Sequence, residues 1–179
     1  MKAEEVVTEA RRLLVEIGGR LDSRVITRQD DKPYLWRGYL LDGDDDVKVN
    51  IFLHKFVSSD DPDLLHCHPW ESSVSFILLG SYRETSAMGV DAPGGRKILY
   101  PPVVRDFMPG RKNIIKANTF HRVDLVTPEV WTLFIHGPRV QPWGFVEEGI
   151  YGQPLDMRVV HGKTSENRKQ LSMVDGGGI

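Results

Sequence analysis

The sequence predicts an all-β domain, a sandwich or barrel, with one α-helix at its N-terminus. Three observations carry that expectation. Apolar or alternating runs of strand length recur, about eight or more of them. Clusters of turn-forming residues punctuate them about every 8–12 residues. Helical spacing of apolar residues is convincing once, near the N-terminus, and nothing suggests parallel βαβ units.

The helix is expected over residues 3–17. Val6, Val7, Ala10, Leu13, Leu14 and Ile17 recur on one side, and Glu4, Glu5, Glu9, Arg11, Arg12 and Glu16 fill the rest. This is the pattern of a surface helix lying on a core. Gly18-Gly19 is expected to close it with a left-handed cap.

Strands follow in order. Tyr34–Leu41 is rich in aromatic residues. Asp42-Gly43-Asp44-Asp45-Asp46 is a turn that lacks calcium-loop spacing. Val47–Phe56 alternates, with Val47, Val49, Ile51 and Leu53 on one face and Lys48, Asn50, Phe52, His54 and Phe56 on the other. Ser58–Asp63 is a polar loop, and the strand holding His66 comes next. Ser73–Leu79 is stopped by Gly80, and Tyr82–Thr85 continues the pairing. Asp91-Ala92-Pro93-Gly94-Gly95 connects to a return strand, Arg96–Tyr100, and Pro101-Pro102 breaks the pattern. Asn113–Ala117, Arg122–Val126 and Val130–His136 are three more strands, with Thr127-Pro128-Glu129 turning between the last two. Trp143–Val146 is the final one. The expected organisation is a helix packed on the barrel (1–19), the barrel (20–150) and a partly disordered extension (151–179). In that extension Lys163–Gln170 is polar and Gly176-Gly177-Gly178 is costly to order.

Composition narrows the function. At 179 residues with a 40% hydrophobic share, the chain suits one domain with a substantial core. A net charge of −2 gives no strong attraction to nucleic acid or a membrane surface. No apolar run approaches the ~20 residues of a membrane span. The start, Met1-Lys2-Ala3-Glu4-Glu5, lacks the pattern of a secretory leader. Cys67 is the single cysteine, so no internal disulfide can form, and a reduced, cytoplasmic setting is expected.

The chemistry concentrates in His66-Cys67-His68-Pro69-Trp70. On an extended strand, residues i and i+2 share a face, so His66 and His68 can reach one ion while Cys67 turns away as a buried core thiol. His121 opens another strand-like run. Three neutral imidazoles on a rigid sheet suit divalent iron, nickel, copper, manganese or zinc.

These residues resemble the cupin superfamily. Its first motif reads G-x5-H-x-H-x(3,4)-E-x6-G. His66, His68 and Gly80 match it, Asp60 stands for the leading glycine, and Ser73 stands for the glutamate. Its second motif reads G-x5-P-x-G-x2-H-x3-N. Gly110 and His121 match, while Lys116, Asn118 and Leu125 replace the proline, glycine and asparagine. Asparagine tolerates a left-handed turn, so Asn118 is a mild replacement. The resemblance covers roughly residues 50–136. It implies a double-stranded β-helix (jelly-roll) barrel and a metal held by His66, His68 and His121. Because Ser73 leaves the ligand set neutral, the site is similar to the three-histidine iron site of the thiol dioxygenase branch, and Fe(II) is the expected metal. Glu71, two residues early and expected to share a face with Ser73, is the alternative fourth ligand.

Other side chains take expected roles from order and strand parity. His54 and His136 either pack or enter the barrel behind the metal or beside substrate. Arg37 is the candidate to hold a substrate carboxylate, as an arginine before the H-x-H motif does in thiol dioxygenases. Tyr82 and Tyr100 could supply a phenol for proton transfer, Tyr82 being the preferred one. Arg83 and Arg139 are alternatives to Arg37. Phe52, Phe76 or Ile77 would line a dry pocket, and Trp70, Trp131 and Trp143 would pack in the core or a subunit interface. The leading expectation is a mononuclear non-haem iron dioxygenase acting on a small anionic metabolite, a thiol among the options, that chelates the metal before dioxygen binds. The alternatives are a non-redox metal cupin (isomerase or lyase) and a non-catalytic small-molecule binder. Pairing as a homodimer is the family's habit.

Overall fold

The structure is a computed structural model that describes residues 2–27, 31–42, 49–147, 151–152, 154–155 and 158–160. The acidic turn from Gly43 to Asp46, His161 and the glycine-rich end lie outside the described residues.

In chain order the elements begin with α1 (Ala3–Gly18), β1 (Ser23–Thr27), β2 (Pro33–Leu41), β3 (Asn50–Phe56), β4 (Leu64–Cys67), β5 (Ser72–Leu79) and β6 (Tyr82–Ala92). A 3-10 turn, Pro93–Gly95, then leads to β7 (Arg96–Leu99), β8 (Val103–Phe107), β9 (Lys112–Lys116), β10 (Thr119–Leu125) and β11 (Val130–His136). The last are β12 (Trp143–Glu147), β13 (Pro154–Leu155) and β14 (Arg158–Val160). One sheet has the order β1-β2-β3-β11-β5-β9, and the other β13-β7-β6-β10-β4-β12-β14 with β8 also on β6. From β3 to β6, and again from β9 to β12, each strand crosses to the opposite sheet. That winding makes the cupin-type double-stranded β-helix: an all-β barrel with one N-terminal helix.

Side-chain alternation divides each sheet into two faces. In β3 and β11 the cross-strand partners His54 and Thr132, and Phe52 and Phe134, are buried in the barrel. Leu53 and Trp131 point the other way and pack with Leu79, Leu14, Leu21 and Trp36 beneath the helix. On the second sheet Cys67 joins Leu65, Ala87, Leu99, Phe120 and Val146 in a buried cluster on the side away from the histidines. It is the buried core thiol expected from its parity.

Several expectations change. The helix does not bury one clean stripe. Val6, Val7, Leu13 and Ile17 are 44–53% exposed, because the helix meets the sheet along Leu14 and through an Arg11–Glu129 ion pair of 2.7 Å. Gly19 ends the helix at φ −64°, a right-handed conformation, so the left-handed cap is absent. Asn118 likewise has no positive φ; among described non-glycine residues Asp31 has one. Gly80 does need to be glycine: its φ is +77°, and an added Cβ would stand 2.1 Å from the Glu129 carbonyl oxygen. Strands β1 and β8 were not anticipated, and β6 runs to Ala92 rather than Thr85, pairing with β10, β7 and β8. Beyond residue 150, β13 pairs with β7 and β14 with β12, so part of the extension belongs to the second sheet. Among the described residues no helix is long and apolar enough to cross a membrane.

Candidate metal centre

Strand register brings the three histidines together. His121 on β10 lies directly across from His66 on β4, where antiparallel partners bring their Cβ atoms to ~5 Å. Their imidazole centroids are 4.5 Å apart. His68 follows two residues on, just past the end of β4, and its Nε2 is 2.8 Å from His121 Nε2. The nearest nitrogens of all three lie within 4.8 Å of one another. Two imidazoles bound at right angles at ~2.0–2.1 Å would hold their nitrogens about 2.9 Å apart. The His68–His121 spacing fits that separation, so the donor set suits one divalent cation.

His66 and His68 are in the state a cation requires. Burial draws His66 down to about 4, with Asp60 opposing the shift and His121 adding to it. Burial, reinforced by His121 and His66, holds His68 well below the usual histidine range. Both present neutral rings, the metal-binding form.

Two carboxylates stand behind the ligands. Glu84 on β6 is buried and accepts hydrogen bonds from His121 Nδ1 and Asn113 Nδ2, each 2.6 Å. Burial alone would raise the Glu84 pKa, but these bonds hold it below the ordinary carboxylate value. With Nδ1–H engaged, the His121 Nε2 lone pair faces the cluster, which fixes the tautomer a metal ligand needs. Asn113 also donates to the Tyr82 hydroxyl at 3.2 Å. Asp60 accepts from the Val123 backbone N–H at 2.7 Å and from the Tyr34 hydroxyl, and lies 3.8 Å from His66 Nδ1. His68 has no such partner at Nδ1. Its ring stacks on Trp70 instead, at 5.4 Å and 21°. Gln141 ties the two ligand-bearing segments, its Nε2 donating to the His68 carbonyl (2.8 Å) and the Ala117 carbonyl (2.6 Å).

The cluster opens on a cavity of about 280 Å³. Aromatic residues dominate its wall, among them Tyr34, Phe56, Trp70, Phe134, Trp143 and Phe145. Arg37 and His54 line it from the other sheet. Arg37 Nε donates to His54 Nε2 at 3.0 Å, and the guanidinium lies 4.7 Å over the Phe52 ring. Burial, with Arg37 and His136 adding to it, holds His54 far below its ordinary pKa. The ring is therefore neutral, with its remaining proton on Nδ1.

The other expected site residues divide. Tyr82 lines the cavity, and burial pushes its phenol upward, so it keeps its proton there as a neutral hydrogen-bonding group. Ser73 is buried, but its hydroxyl donates to the Ile115 carbonyl at 3.4 Å. Glu71 lies outside the cluster: it is exposed on the bend before β5, so the alternation that would have matched it with Ser73 has not yet begun. His136 stacks on Trp70 at 3.9 Å and bonds the Gly137 carbonyl; the cavity wall does not include it. Phe76 faces outward at 38% exposure, and Phe52 and Ile77 pack in buried clusters, so none of the three lines the pocket. Trp70 and Trp143 do, against His68. Arg83 is exposed and paired with Asp106, and Arg139 is exposed. Sequence reasoning missed Glu84, Asn113 and Gln141. The signal for Glu84 was parity: it alternates with Tyr82 and so shares its face.

Comparison with known proteins adds distant similarity. No family model matches the sequence, and no curated protein sequence matches it. Among solved structures, hydroxypropylphosphonic acid epoxidase from S. wedmorenis aligns at 11% identity over 64% of this chain and 55% of its own, with a TM-score of 0.45. KdgF from Halomonas sp. aligns at 17% identity over 63% and 87%, TM-score 0.42. A cupin superfamily protein from Desulfitobacterium hafniense aligns at 14% identity over 64% and 98%, TM-score 0.41. The chain spans little more than half the length of the epoxidase structures it aligns with.

Proposed function

We propose that this chain is a metal-dependent cupin enzyme, a mononuclear non-haem iron dioxygenase acting on a small anionic metabolite. The observation that carries the reading is the convergence of His66, His68 and His121 at one end of a cavity whose opposite wall presents Arg37. Iron(II) bound there would supply open positions for substrate and dioxygen. A dioxygenase incorporates both oxygen atoms into its substrate and needs no other reductant.

The chain's own residues supply the rest. Three imidazole ligands would leave the charge of a divalent ion uncompensated in the ligand set, which favours an anionic substrate. Arg37 faces neutral partners, His54 and the Tyr39 phenol, so its charge is available to a substrate anion. The aromatic wall excludes water. Tyr82, on the wall of the cavity, keeps its proton and can offer a hydrogen bond there.

Metal analysis of protein purified without added metal, followed by oxygen-electrode measurements, tests the proposal. One divalent metal per chain is expected, with iron giving substrate-dependent oxygen uptake. His121→Ala should lose the metal; full occupancy in that variant would overturn the site. Turnover without oxygen on manganese or zinc would overturn the dioxygenase reading in favour of isomerase or lyase chemistry.

A further inference from the structure

We infer that the ligand this cavity fits is a monocarboxylate with a flat, apolar body, an aryl-substituted short-chain acid, rather than a small thiol or a zwitterionic amino acid. The inference takes the anionic-substrate reading above and names the body and charge of that anion. Three observations carry it.

The first is size. An apolar cavity of about 150 Å³ accommodates benzene, so the 280 Å³ here has room for about eleven non-hydrogen atoms at the same packing. A phenyl ring, a two-carbon linker and a carboxylate make that count. A three-carbon thiol acid would leave nearly half the space unfilled, and unfilled apolar space forfeits dispersion contacts.

The second is the wall. Trp70 lies 5.4 Å from Phe134 and 5.6 Å from Trp143, the latter pair nearly perpendicular at 76°. Ile115, Val123 and Leu35 complete an apolar surround. These rings pack against one another and turn their remaining edges and faces to the cavity, where an aryl ring would find the offset or edge-to-face neighbours it prefers. They offer little to a hydroxylated or amine-bearing body.

The third is the charge pattern. Arg37 is the one permanently charged cation among the described wall residues, and the partners it meets are neutral: His54 Nε2, the Tyr39 phenol and the Phe52 face. A guanidinium carries five N–H donors, more than these acceptors use, and its planar end matches a carboxylate in two-point fashion. The carboxylate on the wall, Asp60, already accepts from Tyr34 and from the Val123 backbone. A substrate ammonium would therefore meet one carboxylate among the described lining residues, with each of its oxygens already holding a hydrogen bond.

Trp70 and Trp143 report binding directly through their fluorescence, so affinity can be read without turnover. The chain, zinc-loaded and again after chelation, is titrated with 3-phenylpropionate, propionate, 3-phenylpropylamine and cysteine. 3-Phenylpropionate should bind about ten- to a hundred-fold tighter than propionate, the value of burying the ring. The amine should not bind, and cysteine should be the weaker ligand after chelation. Arg37→Gln should weaken 3-phenylpropionate by about thirty-fold or more, with Arg37→Lys falling between. Propionate or cysteine binding the chelated protein as tightly as 3-phenylpropionate would overturn the inference, as would unchanged affinity in Arg37→Gln or no binding of the aryl acid in either state. Loss of the metal reading registers separately, as failure of the chain to take up zinc.

Discussion

Replacing Glu84 by glutamine isolates what the buried carboxylate contributes. Gln keeps the size of the side chain and an oxygen that can accept from His121 Nδ1 and Asn113 Nδ2, both now at 2.6 Å, and it removes the charge. Charge-assisted hydrogen bonds are about twice as strong as neutral ones, so His121 loses roughly 1 kcal/mol of support for the orientation and basicity a ligand needs. Partners placed behind metal ligands change metal affinity by about 10–100-fold when mutated, equivalent to about 1.4–2.7 kcal/mol. The same energy disappears from the stabilisation that bound metal confers at fixed excess metal. For a chain of this size that is a metal-induced gain in Tm about 3–10 °C smaller than in the wild type. Chelator competition gives the affinity, and melting with and without zinc gives the linked stability. Equal zinc affinity in Glu84→Gln would refute the reasoning. So would a fall in metal-free Tm with the metal-induced gain intact, because Glu84 would then merely fill space in the barrel.

Three further outcomes follow from the same geometry. The metal-free protein should lose stability on acidification from about pH 6.5 towards 4. His54, His66 and His68 have folded-state values below the unfolded one, so the unfolded chain binds more protons in that window, and each group removes up to about 1.4 kcal/mol per pH unit; urea midpoints that stay flat from pH 7 to pH 5 would contradict this. Gly80→Ala should cost about 2–4 kcal/mol in urea unfolding, because its positive φ and the Glu129 carbonyl oxygen 2.1 Å from the new Cβ both penalise it; a change under 1 kcal/mol would mean the turn relaxes freely. Gln141→Leu strips a donor from the His68 and Ala117 carbonyls and should cost about 1–3 kcal/mol with weaker zinc binding; unchanged affinity would show that the ligand segments hold their places without it.

The barrel was legible because strand alternation is a strong local signal. The parity of Val47–Phe56 put His54 on one face with Phe52 and Phe56 without saying which face looks inward, and the spacing of His66, His68, Gly80, Gly110 and His121 matched a known pattern. What local pattern could not supply was register across distant strands. Only the pairing of β10 with β6 sets Glu84 beside Val123, within reach of His121. Only the return of the chain after β11 brings Gln141 to the His68 carbonyl. Bends defeated parity as well: Glu71 sits before β5 becomes regular, so its count from Ser73 carried no information about its face. The helix stripe misled for a related reason, since an amphipathic pattern gives the apolar side but not which residues of it a sheet will cover.

The replacement of a ligand glutamate by Ser73 reads, in sequence alone, as a loss of negative charge from the site. The structure relocates that charge instead. Glu84 stands behind His121, and Asp60, at the position where the motif expects a glycine, stands near His66. Arg37 adds a positive charge on the facing wall. A divalent ion, two carboxylates and one guanidinium together leave a single positive charge in a low-dielectric cavity, where an uncompensated charge is costly. A monoanion cancels it; a dianion or a neutral ligand does not. Held behind the histidines, Glu84 by a hydrogen bond and Asp60 at 3.8 Å, the carboxylates would also leave more coordination positions open on a bound ion than a directly bound glutamate would. The same arrangement that would favour a monoanionic ligand would therefore also leave positions open on a bound ion.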